Sequence, residues 1–163
     1  MENMLRIQLL IENKIFNECL QKTNEYEKSR EFCKHGTEHL LNVARIAMLL
    51  NYEEKLYLDQ EVIYATALLH DIGRYVQYEY GIDHAIASAL IAPGILNEVG
   101  FDNKIACDIN QAILQHRDSS VKDKNNLSGI LYRADKYSRE CFFCSVRERC
   151  DWKAEKKNKK LLY

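Results

Sequence analysis

The sequence predicts an all-α fold in a single domain, and three observations support this. Apolar residues recur at helical spacing over most of the 163 residues. Only 6 glycines and 1 proline, Pro93, are present, so strong turn signals are few. No segment shows the alternating pattern of a strand. A chain of this length can bury a sizeable core without disulfides.

The composition argues against some kinds of partner and favours one cellular compartment. With 23 Lys and Arg against 24 Asp and Glu, the net charge of -1 gives no reason to expect nucleic acid or an anionic membrane as a partner. No apolar run is long enough to span a membrane, and the N-terminus lacks the pattern of a signal peptide. We therefore expect a cytoplasmic protein, with a homo-oligomer left open. In that compartment the 6 cysteines are thiols or metal ligands.

The periodicity places the helices in order along the chain. We predict helices at residues 4–28, 36–50, 60–71, 84–98 and 102–116, and a last helix that begins near Leu127. Pro93 should kink or restart the fourth of these. Residues 74–83 are predicted as a loop, with a helical turn as an alternative, and residues 117–126 as a polar loop. One face of the last helix should carry Leu131, Asp135, Ser138 and Phe142.

Histidines and aspartates occur where apolar side chains would be expected. His39 shares a helix face with Val43 and Leu50, and an adjacent His-Asp pair ends an apolar run. A single histidine on such a face is usually a core residue, but a buried carboxylate without a counter-charge costs on the order of several kcal/mol. A divalent cation would remove that cost. We therefore predict a metal site formed by His39, His70, Asp71, His84, His116 and Asp135.

In this order the motifs resemble the HD superfamily of metal-dependent phosphohydrolases. The resemblance spans about residues 35–140 and rests on five segments, which are 39–44, 68–74, 84–89, 112–116 and 134–136. It implies that residues 1–163 form a single HD domain, a helical bundle with an extra N-terminal helix. Residues 141–163 would be a Cys- and Lys-rich extension.

The resemblance also implies a ligand set. The first metal would be held by His39, His70, Asp71 and Asp135. The second would be held by His84 and His116, with Asp71 as the bridge between the two ions. Iron or manganese is expected by resemblance, and Zn, Ni or Mg are alternatives that mixed imidazole and carboxylate ligands also permit.

The implied activity is hydrolysis of a phosphate ester or anhydride in a small phosphorylated compound, with a nucleotide favoured, by a metal-activated hydroxide. Asp71 and Arg74 would be catalytic. Phosphate or substrate would contact Arg74, Arg117, Arg139 and His35. Arg117 and Arg139 are equally consistent with surface arginines. Two alternatives stay open: an HD-type di-iron oxygenase, and a non-catalytic metal-dependent nucleotide sensor.

A separate cysteine pattern lies near the C-terminus. Three thiols are close in sequence and a fourth could join them, which gives the set Cys33, Cys141, Cys144 and Cys150. On a helix, Cys141 and Cys144 would share a face. Such thiols either bind a metal or pack as small apolar groups beside the neighbouring aromatic side chains. Zinc ribbons usually show two close pairs, whereas this sequence has one pair and a single cysteine.

Overall fold

A computed structural model describes residues 4–163, and these form an all-helical fold, as the sequence predicts. The eight α-helices are α1 (Leu5–Glu12), α2 (Lys14–Tyr26), α3 (Thr37–Glu53), α4 (Gln60–Leu69), α5 (Arg74–Tyr80), α6 (His84–Glu98), α7 (Asn103–Gln115) and α8 (Leu127–Tyr137). Single 3₁₀ turns occur at Ser119–Val121, Arg147–Arg149 and Ala154–Lys156. Within residues 4–163, no helix is both long enough and apolar enough to cross a bilayer.

Five helices form the core of the bundle. α6 packs on α7, α7 packs on α8, and α3 packs on both α4 and α8. Their inward faces are filled by fully buried apolar side chains such as Leu69, Ile95, Ile113 and Leu131. These five helices are also the ones that carry the predicted metal ligands. The packing that excludes water from the core therefore sets the positions of those ligands.

The prediction of one helix over residues 4–28 is wrong, because the chain breaks at Asn13. The backbone there is extended, with φ −63° and ψ 130°, and the Asn13 side-chain oxygen accepts a hydrogen bond from the Phe16 backbone N–H at 3.1 Å. This is an N-cap, and it begins α2. Leu10 and Phe16 are buried on either side of the break, so the apolar stripe continues where the helix does not.

Residues 74–83, predicted mainly as a loop, contain α5. None of its residues is fully buried, so the apolar periodicity that would reveal a helix is missing. Packing against α2 and α6 holds it in place. The helix ends at Gly81, whose φ of +72° is a left-handed conformation that glycine adopts without strain.

Gly73 allows the turn after α4 to approach α6 closely. Its backbone N–H donates a hydrogen bond to Ser88 Oγ at 2.9 Å. A Cβ atom at this position would lie 2.4 Å from the Ser88 backbone nitrogen. Glycine is required here because there is no room for a side chain, since the φ of −87° suits any residue. Gly73 therefore fixes the distance between the His-Asp turn and α6.

Pro93 lies inside α6 without ending it, so the predicted restart does not occur. α8 is shorter than predicted, because it ends at Tyr137 and leaves Phe142 outside the helix. Side chains donate hydrogen bonds to the last carbonyl groups of α8. Ser138 Oγ donates to the Asp135 carbonyl at 2.9 Å. Asn158 Nδ2 also donates to the carbonyls of Lys136 and Tyr137, at 2.9 and 3.2 Å, which fastens the C-terminal segment to this helix end.

Candidate metal centre

The five core helices bring the six predicted ligands to one place. His39 lies in the first turn of α3, and His84 is the first residue of α6. The His-Asp pair lies in the turn that follows α4, just beyond the predicted helix position. His116 directly follows α7, and Asp135 lies near the end of α8. All are largely buried, and the side chains of His39 and Asp135 are each 13% exposed.

Three of these side chains form a first group, composed of His39, His70 and Asp135. One ligand atom from each lies within 4.8 Å of the others. Asp135 Oδ1 is 3.6 Å from His39 Nε2 and 4.0 Å from His70 Nε2. Two imidazole nitrogens and a carboxylate oxygen at this spacing could hold one divalent ion.

The other three form a second group, composed of Asp71, His84 and His116, with the same mutual spacing of their ligand atoms. His84 Nε2 lies 3.2 Å from both Asp71 Oδ1 and His116 Nε2. His116 Nε2 is 3.7 Å from the same carboxylate oxygen. This group could hold a second ion.

Asp71 lies between the two groups and presents one oxygen to each. Its Oδ2 atom is 3.5 Å from His70 Nε2 and 3.7 Å from His39 Nε2. Its Oδ1 atom faces His84 and His116. A carboxylate in this position is able to bridge two cations.

Several of these atoms are buried without a hydrogen-bond partner among the described residues. They are His39 Nε2, His70 Nε2 and Asp71 Oδ1. Leaving buried polar atoms unpaired costs about 1–3 kcal/mol each. All three point into the same space, which is the arrangement expected of metal ligands. The donor set therefore fits divalent metal ions.

Hydrogen bonds at the far side of the rings select the tautomers. The Nδ1–H groups of His70 and His116 donate to the carbonyls of Ala67 and Ile113, at 2.7 and 2.6 Å. His84 Nδ1 lies 2.5 Å from the side-chain oxygen of Gln77. With the proton on Nδ1, the Nε2 lone pair of each ring is directed at the centre, as metal-binding histidines require.

His39, His84 and His116 are held in the neutral form. Burial, and then the nearby His70, lower the pKa of His39 to about 4 and the pKa of His116 to about 4. Burial also lowers the pKa of His84 to about 3, with Asp71 opposing this effect and Arg74 adding to it. Neutral imidazole is the form that binds a metal, so these rings are available as ligands near neutral pH.

The two aspartates are held in the ionised form. Burial by itself would raise the pKa of Asp71, but the surrounding histidines, His70 foremost, keep it well below its usual range. The pKa of Asp135 is likewise lowered against the effect of burial, chiefly by the Lys136 ammonium, with which it forms an ion pair. Two buried carboxylates that keep their negative charge favour the binding of cations.

The predicted substrate residues line a cavity of about 710 Å³ that opens onto the centre. Arg74 lies against His84, with its guanidinium nitrogen 2.9 Å from Nδ1 and 3.1 Å from Nε2. Arg117 is paired with Asp83, and the Arg139 guanidinium stacks 3.9 Å from the centre of the Trp152 ring. The structure thus brings all three arginines to the cavity wall, each with a protein partner.

His35 also lines the cavity, where it is fixed by Glu27. Its Nδ1 and its backbone N–H each lie 2.6 Å from an oxygen of this buried carboxylate. The Tyr78 hydroxyl donates to the same carboxylate at 2.6 Å. Sequence reasoning missed Glu27, because its position at the end of α2 shows no motif. It also missed Gln77, for the same reason, and gave no role to Lys136, although Lys136 follows Asp135 directly.

The four cysteines of the predicted cluster line the same cavity at its outer side. All six cysteines of the chain are free thiols. Cys141 and Cys144 lie in a turn and not on a helix, because α8 ends before them. Within residues 4–163, the only groups of three or more ligand atoms spaced within 4.8 Å are the two His/Asp groups. No three of these four thiols therefore lie within 4.8 Å of one another.

Comparisons with known proteins show the family of the chain. The HD domain family model matches residues 36–140. A crystal structure of a predicted HD superfamily hydrolase, from an uncultured Thermotogales bacterium, superimposes with a TM-score of 0.65 at 26% identity, over 88% of this chain and 79% of that one.

Proteins from three organisms are similar to this chain in sequence. An uncharacterised protein of Clostridium beijerinckii is 46% identical over 88% of this chain and 90% of its own length. A Bacillus subtilis protein named "Putative phosphohydrolase YueE" is 33% identical over 66% of this chain and 68% of its own length. The protein MJ0778 of Methanocaldococcus jannaschii is 37% identical over half of each chain. Because the HD domain family model matches most of the chain, the chain belongs to the HD domain family.

Proposed function

We propose that this chain is a phosphohydrolase that uses two divalent metal ions to hydrolyse a small phosphorylated compound. The observation that carries the proposal is the position of Asp71, whose two carboxylate oxygens face two separate pairs of histidines. A carboxylate of this kind is suited to hold two ions side by side, as two-metal hydrolases require.

In the proposed centre the two ions share Asp71, and their other ligands are separate. The first ion would be held by His39, His70, Asp71 and Asp135. The second would be held by Asp71, His84 and His116. Imidazole and carboxylate together permit iron, manganese, nickel or zinc, and the resemblance to the HD superfamily favours iron or manganese. When bound, two such ions polarise a phosphoryl oxygen and lower the pKa of water.

The residues around the centre would bind the substrate. Arg74 lies beside His84, in reach of a phosphate seated at the second group, and its planar guanidinium can hold two phosphate oxygens at once. Lys136 and Arg117 add positive charge to the same cavity wall. A phosphate group is therefore the part of the substrate that this wall would recognise.

The size and outer lining of the cavity support a nucleotide-sized substrate. Its volume of about 710 Å³ lies in the range of small-molecule sites. The exposed ring of Phe143 lines its outer part, where an aromatic ring or base could stack. The centre would then contact the phosphate end, and the Phe143 ring the other end.

A substrate screen tests the proposal. Protein loaded with Mn²⁺ or Fe²⁺ should release phosphate from members of a panel of nucleotides, phosphomonoesters and phosphodiesters. The Asp71→Ala variant should lose this activity, while Asp108→Ala, a change on the exposed side of α7, should keep it. Equal turnover by wild type and Asp71→Ala would contradict the proposal. Oxygen consumption without phosphate release would indicate the oxygenase alternative.

A further inference from the structure

Four cysteines from two distant parts of the chain meet at the outer side of the cavity. Cys33 lies between α2 and α3, and the other three follow α8. An ion pair between Arg149 and Glu31, at 3.1 Å, joins the two segments. Arg30 Nε donates to the Cys33 carbonyl at 2.8 Å, which holds the first segment in its turn.

Backbone turns present the three C-terminal thiols. The Cys144 N–H donates to the Cys141 carbonyl at 3.3 Å, and the Cys150 N–H donates to the Arg147 carbonyl at the same distance. Lys157 Nζ donates to the carbonyls of Arg147 and Cys150, at 2.8 and 2.9 Å. Cys33 is exposed and the other three cysteines are only partly buried, so packing of the thiols into a hydrophobic core does not explain the pattern.

The thiols of Cys141, Cys144 and Cys150 line the same cavity as Cys33 and lie close enough to affect the ionisation of the Cys33 thiol. Although Cys33 is exposed as a residue, protein atoms at the cavity wall displace solvent from its thiol, and this raises its pKa. The thiols of Cys141, Cys150 and Cys144 raise the pKa further, while Arg139 opposes them. Crowded thiolates repel one another, and a bound cation relieves that repulsion.

The spacing of the thiols favours a cluster over a single ion. Zinc binds four thiolates at about 2.3 Å in a tetrahedron, which places the sulfurs roughly 3.8 Å apart. Here no three of the thiols in residues 4–163 lie within 4.8 Å of one another. In a four-iron, four-sulfide cluster each thiolate binds a different iron, so the four thiolates stand farther apart than they do around a single ion.

The order of the cysteines along the chain points the same way. Zinc ribbons use two close pairs, whereas this chain has three close cysteines and one remote cysteine. Three close thiolates with a fourth from elsewhere is a spacing that iron–sulfur proteins use. The basic side chains of Arg139, Arg147 and Lys157 surround the site and would offset the negative charge of such a cluster.

We propose that an iron–sulfur cluster is bound at the outer side of the cavity by the thiolates of Cys33, Cys141, Cys144 and Cys150. Each thiol gives up its proton when it binds iron. The cluster fastens the segment after α8 to the segment before α3 and so completes the cavity wall beside Arg139. It is separate from the His/Asp centre, and it does not depend on the hydrolase activity proposed for that centre.

Anaerobic purification of the full chain, followed by analysis of iron, zinc and acid-labile sulfide, tests the proposal. Wild type should contain sulfide and show the broad visible absorbance of sulfide-to-iron charge transfer. Cys33→Ser and Cys144→Ser should lower sulfide to background. Cys107→Ser, which changes an exposed cysteine on α7, should leave it unchanged.

The Asp71→Ala variant separates the two sites, because it should lose metal from the His/Asp centre and keep sulfide and visible absorbance. Circular dichroism shows whether each cysteine variant retains the helical fold. The cluster proposal would be overturned if wild type contains zinc but no sulfide. It would also be overturned if wild type contains no metal other than the metal that the Asp71→Ala variant loses. Either result would decide the question without the cysteine variants. A folded Cys144→Ser protein that keeps full sulfide would overturn the ligand assignment.

Discussion

At the scale of single residues, the side chain that decides most about the centre is Asp71. A histidine of either group would contact one cation, whereas Asp71 lies within 3.2–3.7 Å of histidines in both groups. Removing it should therefore disturb both ions. Removing His84 should disturb mainly the second ion, since the first group keeps its own three side chains.

The first prediction concerns metal content. Asp71→Ala should lose both ions, with an affinity loss larger than the roughly 10–100-fold cost of removing a group that only supports a ligand. His84→Ala should retain one ion. The measurement is metal per chain by elemental analysis after gel filtration, with Asp108→Ala as the control. If Asp71→Ala keeps both ions, the dinuclear assignment is wrong.

The second prediction concerns Glu27, a buried carboxylate outside the ligand set. Burial would raise its pKa, but the hydrogen bonds and charge of His35, together with the Tyr78 hydroxyl, lower it from 4.5 to about 2. A lowered carboxyl pKa stabilises the folded state above the unfolded pKa, and the stabilisation is lost as pH falls through the folded pKa. The window is therefore pH 4.5 down to about 2.

Glu27→Gln should therefore lower the free energy of unfolding by up to about 3 kcal/mol at neutral pH. The difference from wild type should shrink as the pH falls below about 4.5. Urea unfolding at a series of pH values measures this. Glu25→Gln, a change of an exposed glutamate on the same helix, is the matched control. A difference between wild type and the Glu27→Gln variant that stays constant across this range would show that the carboxylate charge contributes nothing.

At the scale of elements, the close approach of the turn after α4 to α6 depends on Gly73. An added Cβ would meet backbone atoms of Ala87 and Ser88, which cannot move aside as a flexible side chain would. The turn that would shift is the one that carries His70 and Asp71. The fit between these two elements therefore connects the packing of the bundle to the geometry of the metal centre.

The third prediction compares two glycines. Gly73→Ala should destabilise the fold by about 2–4 kcal/mol, because the added methyl group would clash with backbone atoms that cannot rotate away. Gly94→Ala, inside α6 with no atom within 4 Å of the added Cβ, should stabilise by about 0.5–1 kcal/mol. Thermal unfolding of both variants provides the measurement. Equal effects at the two positions would contradict the role given to Gly73.

At the scale of the whole molecule, the centre joins the ends of five helices that are otherwise held by apolar packing. Bound ions would connect α3, α4, α6, α7 and α8 at one point. They would also neutralise the buried charges of Asp71 and Asp135. Metal binding should therefore stabilise the folded chain as a unit, because the unfolded chain cannot assemble these ligands.

The fourth prediction follows from this linkage. Free Mn²⁺ at about 100 times its dissociation constant should add about 2.7 kcal/mol of stability. For a chain of this size that raises the melting temperature by about 5–10 °C. Differential scanning calorimetry of chelated and Mn²⁺-loaded protein measures the shift. The Asp71→Ala variant should show almost none, and a melting temperature of wild type that is insensitive to metal would contradict a centre of this kind.

Much of the fold and of the candidate site could be predicted from the sequence. The helices α3, α4, α6 and α7 follow from apolar periodicity, which is a local property of the chain. The break at Asn13 and the helix α5 could not be predicted this way. In the first case the apolar stripe runs through the break, and in the second no residue is fully buried.

The sequence by itself determined which side chains could serve as ligands and the order in which they occur. Only the tertiary structure decided that the two oxygens of Asp71 face different histidines, that Glu27 supports His35, and that Cys33 joins the thiols after α8. The physical reason is that periodicity gives the face of a helix and nothing about the direction of a side chain beyond its end. That direction is set by how helices far apart in the chain pack against one another.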